Sequence, residues 1–168
     1  ELRHIGKNTT IGAHNDTTIY FPLDSNEADV GVAGGLMRFI SSVAGSFRVR
    51  TPHQDGGIDG TEAVVAVDPT TENSIILVIE GVVNAIGPGK PRHISLRAGE
   101  AGYAGPAVPV RRASADDVKE EKFRDLLLNP AGASDWAVYY PPILLVPDGA
   151  DPALAAAARR LASGDIAG

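Results

Sequence analysis

From Phe47 to Gly102 the chain is a succession of short β-branched runs, each closed by Gly, Pro, Asp or Asn. That rhythm narrows the fold to an all-β unit before any other feature is weighed. Phe47-Arg48-Val49-Arg50-Thr51-Pro52 is followed by Ala63-Val64-Val65-Ala66-Val67-Asp68-Pro69, then by Ile75-Ile76-Leu77-Val78-Ile79-Glu80-Gly81 and Ile94-Ser95-Leu96-Arg97-Ala98-Gly99. Phe47, Val49 and Thr51 alternate with Arg48 and Arg50, and Ile94, Leu96 and Ala98 with His93, Ser95 and Arg97. Both patterns describe strands with one buried and one wet face. Ile75 to Ile79 is apolar throughout, which predicts a central strand covered on both sides.

Turn signals at Asn15-Asp16, Asp55-Gly56-Gly57, Asp68-Pro69, Gly87-Pro88-Gly89 and Gly105-Pro106 keep the elements short. Thr17 to Phe21 reads as a further strand closed by Pro22. Residues 1–109 are therefore expected to hold strands and no helix beyond two turns, with Val65, Val67, Ile76, Val78 and Leu96 in the core. The spacing suits a sheet roll, a sandwich or a solenoid-like stack.

The pattern changes after Arg112. Ser114-Ala115-Asp116-Asp117 offers a capping hydroxyl and first-turn acids for a helix with Val118, Phe123, Leu126 and Leu127 on one side, ended by Asn129-Pro130. A second short helix is expected from Ser134 to Tyr140. A third starts at Asp151-Pro152, with Leu154, Ala158 and Leu161 on one side. The division expected is 1–112 all-β, 113–150 helical insertion and linker, and 151–168 the onset of a helical repeat.

One domain plus an appendage accounts for 168 residues. A net charge of −6 and unclustered basic residues argue against a nucleic-acid partner. Without cysteine there is no disulfide, thiolate metal site or thiol nucleophile. The longest apolar run is too short to span a bilayer, so direct membrane insertion is not expected. The opening Glu1-Leu2-Arg3-His4-Ile5 reads as the middle of a strand, and the whole as a fragment of a longer protein.

The densest set of potential ligands is His53, Asp55, Asp59 and Glu62, four oxygen or nitrogen donors within ten residues. Their spacing matches no metal motif, and turns fixed by acidic residues explain them more simply. A hydrolase built on His53 and Asp59 is the corresponding catalytic reading. No Gly-x-Ser-x-Gly elbow accompanies it, and Gly87-Pro88-Gly89-Lys90 lacks the register of a phosphate loop. No catalytic residue, cofactor or metal is expected, and the chain reads as a non-enzyme. Asn8-Thr9-Thr10 and Asn15-Asp16-Thr17 match glycosylation sequons but read as polar turns. Trp136, Tyr139 and Tyr140 read as aromatics that pack a linker helix onto the sheet.

Four pieces, Arg48-Val49-Arg50-Thr51-Pro52, Gly60-Thr61-Glu62, Val78-Ile79-Glu80-Gly81-Val82 and Leu96-Arg97-Ala98-Gly99-Glu100-Ala101, resemble in wording and order the strand–turn core of the FecR-like domain. This is an extracytoplasmic module of bacterial sensors and anti-sigma regulators. Asp135-Trp136-Ala137-Val138-Tyr139-Tyr140-Pro141-Pro142-Ile143-Leu144 is similar to the linker that joins such domains to tetratricopeptide repeats, and Asp151 to Gly168 to a repeat's first helix and turn. Ala63 stands where the family carries a bulky aromatic, and 117–134 reads as an insertion. The resemblance implies a non-enzymatic protein-interaction or sensory module in the periplasm or at the cell surface, with a protein partner or a second copy of itself. A structural subunit of a self-assembling surface polymer is the alternative.

Overall fold

The computed structural model describes residues 2–4, 9–14, 16–22, 28–41, 47–88 and 93–129. The chain parts into two units, Glu1–Ala137 and Val138–Gly168, and every described residue belongs to the first. The expected helices from Ser134 and Asp151, with Trp136, Tyr139, Tyr140, Leu154, Ala158 and Leu161, lie outside the described residues.

Strands β1 (Leu2–His4), β2 (Thr9–Ala13), β3 (Thr18–Tyr20), β4 (Ala28–Ser41), β5 (Phe47–Arg50), β6 (Asp55–Val67), β7 (Ser74–Ile86), β8 (His93–Arg97), β9 (Ala101–Gly105) and β10 (Val108–Arg112) form one sheet. A 3-10 turn (Asp117–Lys119) and helix α1 (Glu121–Leu128) follow. The sheet order is β1-β2-β4-β5-β6-β7-β9-β10, with β3 also on β4, β8 also on β7, and β4 also against β6. Neighbours run antiparallel except β4 and β5. The mainly β fold expected from the sequence is the fold found.

Three long strands let one sheet close over its own core, because each changes partner partway. β4 lies beside β5 over Ala28–Gly31 and beside β6 over Gly35–Ile40. β6 pairs with β5 over Asp55–Ile58 and with β4 over Glu62–Val67. β7 gives Ser74–Leu77 to β9 and Val82–Ile86 to β8. The crossover in β6 and β7 falls at glycines with positive φ, Gly60 at 55° and Gly81 at 83°, where the register between the strands breaks. Bulges there bend a strand and raise its twist. The result is a roll, whose facing halves pack Val32, Phe39, Val49, Val65, Ile76 and Leu96 together.

The β6–β7 hairpin is apolar on both sides because it carries two cores. Val65, Val67, Ile76 and Val78 face the inside of the roll, and Leu96 from β8 meets them. Val64, Ala66, Ile75 and Leu77 face outward, where Phe123 and Leu126 of α1 and Tyr103 of β9 cover them. Each large aliphatic side chain buried this way stabilises the fold by about 1.5–3 kcal/mol. All five residues expected in the core are buried, and among the described residues before Pro109 there is no helix.

Three local expectations change. Asp55-Gly56-Gly57 is not a turn but the start of β6, paired with both β5 and β7; a side chain at Gly56 would meet Ile76 and Val83. The reversal sits one step earlier, where the Thr51 hydroxyl and amide hold the Gln54 carbonyl. Ala98 lies exposed in the turn after β8 rather than in the strand. The α-helix starts at Glu121, not near Ser114, since Glu120 is extended and separates it from the 3-10 turn.

Candidate interaction cleft beside helix α1

Helix α1 has a polar clasp at its root. Ser114 and Asp117 have the spacing of a capping box, and the Asp117 carboxylate accepts from the Ser114 amide at 2.6 Å and its hydroxyl at 3.0 Å. Arg111 of β10 grips the same carboxylate with two nitrogens, at 2.7 and 2.8 Å. The guanidinium hydrogen bonds hold Asp117 down to a pKa of about 2, with burial opposing and Ser114 assisting. In return the Asp117 carboxylate raises the pKa of Arg111. The Arg111 guanidinium also lies 4.6 Å from the centre of the Tyr103 ring. The Tyr103 hydroxyl donates to Glu120, which also accepts from the Asn73 amide at 3.3 Å. Burial, then that carboxylate, push the Tyr103 phenol well above its ordinary value.

With its root fixed, α1 stands beside the sheet and leaves a cleft of about 640 Å³. Leu36, Ala66 and Pro69 supply the sheet side, and Phe123, Leu126 and Leu128 the helix side. The end wall is the turn between β2 and β3, set in place by Thr17. Its hydroxyl donates to the Leu36 carbonyl at 2.9 Å and accepts from the Leu36 amide at 3.2 Å. Gly35, at φ 94°, permits this approach; a Cβ there would lie 2.6 Å from the Thr17 Cα. His14, Asp16, Lys122 and Asp125 give the cleft a charged or polar margin. A concave, largely apolar space of this volume with a few polar groups is the ordinary form of a binding site.

The sequence-level donor set is dispersed. His53 follows β5, and its Nε2 lies 3.1 Å from Glu72. Asp55 opens β6, its pKa raised by burial against the pull of Arg50 and Arg48. Asp59 lies in the middle of the strand, at the register break. Glu62, beyond it, is bound by Arg38 at 2.7 Å. Asp55 and Glu62 are seven residues apart on one strand, roughly 23 Å at the usual rise. Among the described residues no three such groups converge. Gly87 and Pro88 enter the connection between β7 and β8.

Sequence reasoning identified Phe123 and Leu126 as an apolar helix side but not the cleft. His14, Leu36, Val67 and Asp125 are far apart in the chain, and no local period links them. One sequence signal was present: the triplet Leu126-Leu127-Leu128 is more apolar than one helix side can bury, and Leu128 is the residue left 66% exposed.

The fold and site define a mainly β domain, a rolled sheet with a helix-flanked apolar cleft. No family model matches the chain, and no curated protein matches it. Solved structures do. A candidate anti-sigma factor from Parabacteroides distasonis, in its 1.65 Å crystal structure, has a TM-score of 0.53 at 18% identity over 65% of this chain and 52% of its own. The 2.50 Å structure described in the same words gives 0.54 at 18% identity, over 71% and 57%. This chain thus spans just over half the length of those proteins, and what they share with it is the fold. Among the described residues no helix is long and apolar enough to cross a membrane.

Proposed function

We propose that this chain is a non-enzymatic, regulatory protein-interaction module of the FecR-like kind, working outside the cytoplasm of a bacterium. The observation that carries the reading is the fold shared with a candidate anti-sigma factor over two-thirds of the chain. An anti-sigma factor acts through contact with another protein, and the cleft beside α1 is a surface suited to such contact. In the full-length protein the β module would be followed by tetratricopeptide-like repeats, which stack into partner-binding surfaces. The test is affinity capture of the full-length protein, cross-linked in cells and purified from the envelope fraction. A reproducible protein partner is expected, and its absence under cross-linking refutes the reading. Protease accessibility in intact and permeabilised cells tests the compartment.

The self-assembling polymer has one observation in its favour. Strands β1, β3, β8 and β10 each pair with one neighbour among the described residues, and open strand edges recruit strands from other molecules. Light scattering separates the two readings: monomers at high concentration reject assembly.

A further inference from the structure

We propose that the cleft beside α1 binds a peptide segment of a partner protein, one presenting aliphatic or aromatic side chains flanked by Lys or Arg. The inference rests on the interaction-module reading and names its site and the partner's chemistry. The apolar surface left open to a ligand is that of Leu36, Pro69 and Leu128, above a packed bed of Ala66, Phe123 and Leu126 that is already buried. A volume of about 640 Å³ holds two or three large side chains rather than a whole helix.

Charge at the margin selects what flanks them. Lys122 is already 3.8 Å from Asp68, whose carboxylate also accepts from the Thr70 amide at 3.0 Å. Asp16 and Asp125 line the same cleft, and neither carboxylate has an ion-pair partner among the described residues. Two carboxylates at the rim of an apolar cleft complement cations beside an apolar anchor. Leu128, 66% exposed at the cleft margin, extends the apolar strip outward, which favours an extended segment over a compact small molecule. The wall is preorganised, because Thr17 fixes Leu36 through both of its backbone groups.

The probes are fluorescein-labelled synthetic peptides with a Leu-Phe-Leu centre flanked by Lys on both sides, measured by anisotropy against the full chain. Replacing the flanking Lys by Glu, or the centre by Ala, should weaken binding at least about 10-fold. Leu128→Glu and the double variant Asp16→Asn/Asp125→Asn, all at exposed positions, should each weaken the Lys-flanked peptide several-fold. Circular dichroism and melting confirm that these variants remain folded. Equal binding of Lys- and Glu-flanked peptides overturns the proposal, as does binding indifferent to all three substitutions or binding of dodecyltrimethylammonium alone. A cellular partner captured equally by wild type and Asp16→Lys/Asp125→Lys overturns this site while leaving the interaction module standing. Peptide binding that follows the expected order supports the site even where no cellular partner is captured.

Discussion

Replacing Asp117 by asparagine should separate the electrostatic part of the helix clasp from its shape. The carboxylate takes two bonds from Arg111 and two from Ser114, and its pKa falls from the usual 3.8 to about 2. At 1.36 kcal/mol per pH unit that depression corresponds to about 2.4 kcal/mol as an upper bound. The Arg111 side chain is 38% exposed, so solvent screening leaves roughly 1–2 kcal/mol. Because the folded-state pKa is the lower one, this stability is present in full above about pH 4–5 and drains away as the pH falls through 3.8 towards 2. Urea unfolding of wild type and Asp117→Asn between about pH 7 and 2.5 reads it directly. The gap should be roughly 1–2 kcal/mol near neutrality and shrink to about a third of that at about pH 2.5, heading for closure only below the folded-state pKa, where a protonated Asp117 resembles asparagine. Asp68 and Glu100 also have lowered pKa values, so both proteins weaken in acid and the difference between their curves is the diagnostic. A gap that stays constant with pH would show that the Arg111–Asp117 charge pair contributes nothing to fixing the helix.

Gly81→Ala should cost about 3 kcal/mol or more, since a methyl 2.6 Å from the Gly60 carbonyl oxygen adds a backbone clash to a strained φ; Gly99→Ala, with a similar φ of 82° and open space around it, should cost only about 1 kcal/mol. Equal losses in chemical denaturation would remove the clash from the account. Phe123→Ala should cost roughly 3–5 kcal/mol and speed amide exchange through α1, because the ring is fully buried between helix and sheet. In a spectrophotometric titration Tyr103 should ionise only with alkaline unfolding, and Tyr103→Phe should delete that late step. A wild-type profile without it would place the phenol in water.

The strand content was legible because β-branched residues at period two, or in unbroken runs, have few other uses in a soluble chain. What the local pattern hid was length. Gly56, Gly60 and Gly81 read as ends of strands, yet they lie within β6 and β7, where close packing and bends require them. β4 escaped notice for the same reason. Gly31 lies under the Tyr20 ring, Gly34 against Pro69 and Gly35 against Thr17, so its glycines record tertiary contacts that no local propensity contains. Ser114 and Asp117 do bond each other, but the Ser114 hydroxyl caps no helix: Asp116 and Glu120 stand at the N-caps, and neither makes a side-chain cap bond. The delay of α1 to Glu121 was not readable, since the Glu120 carboxylate answers to Tyr103 and Asn73, far away in sequence. The cleft was invisible for the same reason: its walls meet only after the roll has closed.

A hairpin buried on both faces gives up the usual safeguard against slippage. Where one side of a strand is wet, a shift by one residue drags apolar groups into water and is rejected. Between Ala63–Val67 and Ile75–Val78 such a shift would exchange one apolar row for another at little hydrophobic cost. Alignment must therefore be imposed from the ends. At one end the turn is locked by the Asp68 amide on the Asn73 carbonyl, the Glu72 amide on the Asp68 carbonyl, and Glu72 itself at φ 58°. At the other end the Gly60–Gly81 bulge accepts only one partner spacing. The chain behaves like a zip with a stop at each end, and damage to either stop would release a population of misaligned molecules before it lowered the helix or the cleft.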